Sequence, residues 1–66
     1  MNAYIEKIID SINDTLDAIN TYNDGGDYDY NGALAYASGM VDSLNILGYE
    51  CHLAYDEETG VHYLSD

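Results

Sequence analysis

This 66-residue sequence has very little positive charge. Lys7 is its single Lys or Arg, against 13 acidic residues. The formal net charge at pH 7 is -12, and almost none of the carboxylates can be neutralised within the chain. Solubility alone needs a net charge of magnitude only about 2 to 8 in a small domain, and self-repulsion opposes folding. We therefore expect the negative field to be directed at a positively charged partner. The alternative is a halophilic or simply very soluble protein.

Cysteine is equally scarce, since Cys51 has no second cysteine with which to form an internal disulfide. The first residues lack a basic segment followed by an apolar run, and no stretch approaches the roughly 18 apolar residues of a membrane span. A carboxylate surface would also be repelled by anionic lipid. We expect a single cytosolic domain over residues 1–66, without an internal repeat and without membrane binding.

Groups that carry catalysis or bind metals are few. Cys51 and His52 are neighbours that point to opposite faces of a strand, so they cannot converge with His62 on one zinc ion. The surrounding carboxylates are expected to raise the pKa of the Cys51 thiol, which opposes a role as nucleophile. No glycine-rich phosphate loop is present, and so short a chain has little volume for a closed pocket. The sequence predicts a protein that is not an enzyme and has no cofactor or metal.

Apolar residues at spacings of three and four predict a first helix over about residues 3–22. Its buried face would carry Ile5, Ile8, Ile9, Ile12, Leu16 and Ile19. Four carboxylates fall within about 80° of one another on the opposite face. We call them the acidic stripe: Glu6, Asp10, Asp14 and Asp17. The alternative is the ordinary solvated face of an amphipathic helix.

A loop over about residues 23–30 follows, because a pair of glycines among Asn, Asp and Tyr cannot sustain a helix. The apolar period then predicts a second helix over about residues 31–47, with Asp29 or Asn31 as N-cap and Gly48 as a left-handed stop. Small residues make this helix slim, and we expect them to allow close approach of a neighbouring helix. They are Ala33, Ala35, Ala37 and Gly39.

Alternation of apolar and polar residues predicts a strand from Tyr49 to Tyr55, a turn from Asp56 to Gly60, and a returning strand. The fold class predicted is α+β: two antiparallel amphipathic helices followed by a C-terminal two-stranded β-hairpin over about residues 49–64. A lone hairpin is marginally stable, so it must pack on the helices, and its open edge can pair with a partner or a second copy.

Partner binding is expected to involve three acidic segments. The stripe alone presents about one carboxylate per 5 to 6 Å of helix axis, which is sparser than the 3.4 Å spacing of phosphates along a DNA strand. Imitation of a duplex therefore requires the loop and the turn on the same side. The residues concerned are Asp24, Asp27 and Asp29 of the loop, Glu57 and Glu58 of the turn, and Tyr28 and Tyr30 as rings that stack on arginine.

A calcium site is a further alternative, because Asp27-x-Asp29-x-Asn31-Gly32 resembles the start of an EF-hand loop. The twelfth position is Ser38, where such loops need a bidentate Glu, and the second helix begins too early. Calcium binding would therefore be weak.

In size, acidity and lack of catalytic groups the chain resembles the small phage-encoded anti-CRISPR and anti-restriction proteins that imitate DNA, although no motif can be aligned. This resemblance implies an inhibitor that occupies the basic nucleic-acid-binding groove of a host nuclease or defence complex. Such a protein would act in the host cell cytosol and bind protein rather than nucleic acid. The other alternative is a self-assembling protein, for example a homodimer, that uses the hairpin edge or the Ala/Gly face of the second helix.

Overall fold

The computed structural model describes residues 2–22 and 28–66. Along the chain it contains α1 (Ala3–Tyr22), α2 (Tyr30–Ile46), β1 (His52–Asp56) and β2 (Val61–Ser65). The two strands pair antiparallel as one hairpin. The predicted α+β class, with two helices followed by a C-terminal hairpin, is confirmed.

Helix α1 has the predicted bounds, because its apolar period is uninterrupted. Asn2 caps its start, with the Asn2 Oδ1 atom accepting the Tyr4 N–H at 2.7 Å. Its fully buried residues are Ile12, Leu16 and Ile19. The acidic stripe faces away from this core.

Helix α2 starts at Tyr30, one residue before the predicted start, because Asp29 and not Asn31 is the N-cap. The Asp29 carboxylate accepts the Gly32 N–H at 2.9 Å, which satisfies one of the unpaired donors of the first turn. Asn31 consequently lies in the first turn of the helix.

The end of α2 is a Schellman motif built on the predicted glycine. Gly48 has φ 94°, a left-handed conformation that glycine adopts without steric cost. The Tyr49 N–H donates to the Leu44 carbonyl at 2.9 Å, and the Gly48 N–H donates to the Asn45 carbonyl at 3.1 Å. The chain therefore leaves the helix in a fixed direction.

The expected close packing at the small residues of α2 is wrong for Gly39. A Cβ atom added at Gly39 would meet nothing within 4 Å, because this residue lies on the solvent side of the helix. Ala35 is exposed as well, whereas Ala37 is fully buried.

Strand β1 begins at His52, three residues after the predicted start. Tyr49 belongs to the helix end, and the Cys51 backbone bonds to a side chain of α2, so neither joins the hairpin. The predicted turn is confirmed in its left-handed glycine, since Gly60 has φ 72° and its N–H donates to the Asp56 carbonyl at 2.7 Å.

The hairpin lies across both helices as a second layer, with β2 beside α1 and β1 beside α2. Leu53 and Leu64 are partners in the ladder and pack against the core. Within the described residues, no polar or charged side chain is fully buried. The core is small and consists of Ile12, Leu16, Ile19, Ala37, Val41, Leu44 and Cys51.

Replacing Gly39 by alanine should stabilise the protein, because the added methyl group meets open space and alanine favours helix by about 1 kcal/mol over glycine. In a chain of this size, that free energy raises the thermal midpoint by about 4 to 8 °C. Circular dichroism measures the midpoint. Gly32→Ala is the matched control, because its Cβ would collide with the Asp29 carboxylate and should lower the midpoint. A lower midpoint for Gly39→Ala would contradict the solvent-facing position.

Candidate interaction surface

The acidic stripe is fully on the surface, since all four of its residues are exposed. Every other acidic residue in the described part of the chain is exposed too, apart from the half-buried Asp56. These carboxylates are therefore in contact with solvent and open to a cationic partner.

The predicted loop residues divide between those that the structure describes and those that it does not. Asp24 and Asp27 lie outside the described residues. Asp29 is exposed, but its carboxylate also serves as the N-cap of α2. Its charge thus contributes to helix stability as well as to the surface.

Tyr28 and Tyr30, predicted as stacking rings, both pack against the core and are half-buried. The Tyr30 hydroxyl lies 2.7 Å from His62 Nε2, which engages its polar end within the chain. Tyr22 and Tyr55 are more accessible, at 55% and 52% exposure. Tyr22 lies against Tyr28, with 5.6 Å between ring centroids, and Tyr55 lies 4.6 Å from the His62 ring.

The hairpin turn presents Glu57 and Glu58 to solvent. The Asp56 side chain accepts the Glu58 N–H at 2.9 Å, an Asx turn that fixes the backbone under the two glutamates. Asp56 therefore positions the turn, although it was not among the predicted partner-binding residues.

The side chain of Asn20 fastens the start of β2 to the end of α1. Its amide donates to the His62 carbonyl at 3.0 Å, and its carbonyl accepts the His62 N–H at 2.8 Å. Because Tyr30 bonds the same histidine through its ring, the end of α1, the start of α2 and the start of β2 meet at one point. The hairpin turn, which comes just before His62 in the chain, is therefore held at this end of the molecule.

The acidic stripe borders the strand that Asn20 holds. At about 100° per residue, Asn20 lies about 40° around α1 from the buried Leu16 and about 60° from Asp17, on the line between them. Asp17 and Asp14 are thus the stripe residues nearest the turn, while Glu6 is about 16 Å farther along the axis than Asp17. The turn and the start of α2 are thus at the C-terminal end of α1, and the stripe runs from Asp17 toward the other end.

A second asparagine repeats this arrangement at the residue before the other strand. The Asn45 side chain donates to the Cys51 carbonyl and accepts the Cys51 N–H, both at 3.2 Å. The residues before each asparagine correspond, with Leu-Asp-Ala-Ile-Asn at 16–20 and Val-Asp-Ser-Leu-Asn at 41–45. This short correspondence was not predicted from the sequence. Its signal is an asparagine, a poor helix former, placed beside the apolar face near each helix end.

Burial is the main cause that raises the pKa of the Cys51 thiol, and the charge of Asp66 adds to it. The predicted direction is confirmed, but desolvation rather than the surrounding carboxylates is the larger cause. Asp66 also accepts a hydrogen bond from the Tyr49 hydroxyl at 3.1 Å, which raises the pKa of Tyr49. A protonated, buried thiol is a weak nucleophile.

Other kinds of site have little support in residues 2–22 and 28–66. No three His, Cys, Asp or Glu side chains of these residues are grouped to hold a metal ion, and no pocket is found among them. Asn31 and Gly32 are helical instead of forming the loop that a calcium site needs. None of the described helices combines the length and the apolar character needed to cross a bilayer.

A scan against protein-family models, a search of curated proteins and a search of solved structures each found no match.

Replacing Asn20 by alanine should lower the free energy of unfolding by about 1 to 2 kcal/mol, because two backbone groups of His62 lose their partner. Urea unfolding measures this change. Asn13→Ala is the matched control, since Asn13 is exposed on the same helix and its replacement should change stability by less than about 0.5 kcal/mol. Equal effects of the two substitutions would contradict the role of Asn20.

Stability should fall in alkaline solution. Because the pKa of Cys51 is higher in the folded protein than in the unfolded chain, its contribution is complete below about pH 8.5 and is lost as pH rises through the folded-state value. Tyr49 adds a loss of the same sign above about pH 10. Urea unfolding at several pH values should show a smaller decline in Cys51→Ala than in the parent protein. An equally steep decline would assign the effect to other groups.

Proposed function

We propose that the protein is a small acidic inhibitor that binds the basic nucleic-acid-binding groove of a nuclease or defence complex of the restriction or CRISPR type. Its carboxylates would take the place of phosphates and block access of the nucleic acid. It acts without catalysis and without a cofactor, in the cytosol where such complexes work. Its partner is a protein and not a nucleic acid, because a chain with a net charge of -12 repels phosphate.

The observation that carries this proposal is that the start of β2, directly after the hairpin turn, is bonded to the C-terminal end of α1, the helix of the acidic stripe. The stripe alone is too sparse to resemble a DNA strand. The contacts of His62 with Asn20 and Tyr30 hold the start of β2 at the C-terminal end of α1. We infer that Glu57 and Glu58 of the preceding turn add their charge to that of the stripe at this end.

Exposed aromatic rings at the same end favour a partner rich in arginine. Tyr22 ends α1, and Tyr55 precedes the turn beside His62. A guanidinium group can stack on a tyrosine ring while it donates two hydrogen bonds to a neighbouring carboxylate. We therefore propose Tyr22 and Tyr55 as the stacking rings in place of Tyr28 and Tyr30, because Tyr28 and Tyr30 are half-buried against the core.

Self-association is the second candidate function. Ile46 and Leu47, at the end of α2, are 85% and 58% exposed. Adjacent apolar side chains with that exposure favour burial against another surface. Sedimentation equilibrium of the pure protein separates the candidates, since the inhibitor needs no self-association and an assembly protein does.

Reversing two charges of the stripe, in Asp14→Lys with Asp17→Lys, should abolish partner binding while the fold is retained. The two substitutions change the net charge from -12 to about -8, and they place cations opposite the basic groove that binds phosphates. The measurement is capture of basic nucleic-acid enzymes from lysate on the immobilised protein at low salt, followed by release with duplex DNA and assay of the released nuclease for inhibition.

The matched control is the triple variant Tyr36→Lys, Ser38→Lys and Asp66→Lys, which alters the net charge equally at exposed positions that lie off the stripe. It should retain most of the capture. Capture should also decline steeply with salt, because exposed charges farther apart than about 8 Å are screened at physiological ionic strength. Equal loss in the stripe variant and the control would mean that total charge, and not the stripe, determines binding. Retained capture by the stripe variant would refute the proposed interface.

A further inference from the structure

The asparagine contacts define which backbone groups of the hairpin point outward. Because the Asn20 side chain bonds both the N–H and the C=O of His62, these two groups point away from β1. In an antiparallel ladder, two opposite residues either bond each other through both N–H and C=O, or each of them points its N–H and C=O away from the partner strand. Tyr55 is the partner of His62, so its N–H and C=O point away from β2.

The backbone N–H and C=O of every second residue of β1 point away from β2 in the same way. Leu53 therefore presents its N–H and C=O on the outer edge together with Tyr55. Cys51, two residues earlier, provides an independent check, because its N–H and C=O are the groups that Asn45 bonds from outside the hairpin. Asn45 covers the beginning of this edge, and the groups of Leu53 and Tyr55 continue it.

The two edges of the hairpin differ in how many of their outward N–H and C=O groups are bonded within the protein. On β2, Asn20 occupies the outward groups of His62, and the outward groups of Leu64, the partner of Leu53, lie on the side of the strand that packs beside α1. On β1, the hydrogen bonds found within residues 2–22 and 28–66 leave the outward groups of Leu53 and Tyr55 unsatisfied. An exposed row of such groups is a template for an added strand.

We propose that the β1 edge binds an extended, basic segment of a partner protein by strand addition. Leu53 and Tyr55 supply one donor and one acceptor each, so the added strand can form up to four backbone hydrogen bonds. This surface adjoins α2, whereas the acidic stripe lies on α1. It is therefore a second interaction surface that does not depend on the proposed groove binding.

Three carboxylates around the β1 edge determine the charge of the occupant. Glu50 precedes the strand and Asp56 ends it. Asp42 is exposed and lies about 60° around α2 from Asn45, just as Asp17 lies about 60° from Asn20 on α1. The only lysine of the chain is on α1, so the edge itself supplies no base to neutralise these groups. Arg or Lys side chains on the added strand would do so.

Alternation of side chains in the added strand specifies its pattern. Side chains beside Leu53 and Tyr55 would lie on the inner face, next to apolar surface, and those beside Ala54 and Asp56 would lie on the outer face. The occupant therefore alternates apolar with basic residues. A second copy of this chain is disfavoured, because pairing two β1 edges brings both sets of carboxylates together and joins two chains of net charge -12.

The test uses a synthetic ten-residue peptide in which arginine and valine alternate, with a glutamate and valine peptide as control. Tyr55→Pro removes the outward N–H, and proline is tolerated on an edge strand when its nitrogen faces solvent. Tyr55→Ala is the matched variant, because it also loses the ring but keeps the N–H. Titration calorimetry at low salt gives the affinities, and amide hydrogen exchange by NMR reports the Leu53 and Tyr55 N–H groups directly in the unaltered protein.

We expect the arginine peptide to bind, to slow exchange of both amides, and to bind Tyr55→Pro at least about tenfold more weakly than Tyr55→Ala. The glutamate peptide should not bind. The proposal is overturned if the arginine peptide does not bind, if it binds without slowing those amides, or if the two Tyr55 variants bind it equally. A dimer in sedimentation that Tyr55→Pro dissociates would also overturn it and would assign the edge to a second copy.

Discussion

The hydrogen bonds between the Asn20 side chain and the His62 backbone are the interaction on which the rest of the structure most depends. Two short strands are marginally stable by themselves, and the core contains seven buried residues, none of them larger than leucine or isoleucine. The primary amide supplies one donor and one acceptor to the strand, as a neighbouring strand would. Asn45 does the same at Cys51, the residue before β1, so each helix is bonded to the chain at or next to one strand of the hairpin.

The shortage of basic residues explains why neutral groups make these contacts. With Lys7 alone, the chain cannot join its elements by salt bridges, and each carboxylate brought inward would be buried without a counterion. Asparagine amides, a tyrosine hydroxyl and a histidine ring connect the elements instead. The carboxylates are thereby left on the surface, and their arrangement follows from where neutral contacts place the turn and the helices.

Local sequence signals predicted the helices well and the hairpin less well. The bounds of α1 follow from an unbroken apolar period, and both ends of α2 follow from Asp29 as cap and Gly48 as left-handed stop. The start of β1 was misplaced, because alternation continues through Tyr49 while the backbone there completes the helix end. Solvent exposure of Gly39 was missed because a small residue has the same appearance in sequence whether it is packed or exposed.

The sequence predicted which segments form the candidate surface, but not how those segments lie relative to one another. Exposure of the acidic stripe and of the two turn glutamates follows from periodicity and turn chemistry. The position of the turn relative to α1 depends on the pairing of Asn20 with His62, which are 42 positions apart, and no local pattern specifies that contact. For the same reason Tyr30 was assigned to partner binding, although its hydroxyl bonds the same histidine.

The position of the hairpin turn beside the end of α1 is the central claim, and paramagnetic broadening tests it most directly. A spin label attached at Glu58→Cys in a Cys51→Ala background should broaden the amide signals of Asp17 and Thr21 much more than that of Glu6. Equal broadening along α1, or stronger broadening at Glu6, would contradict the placement of the turn and with it the proposed acidic surface.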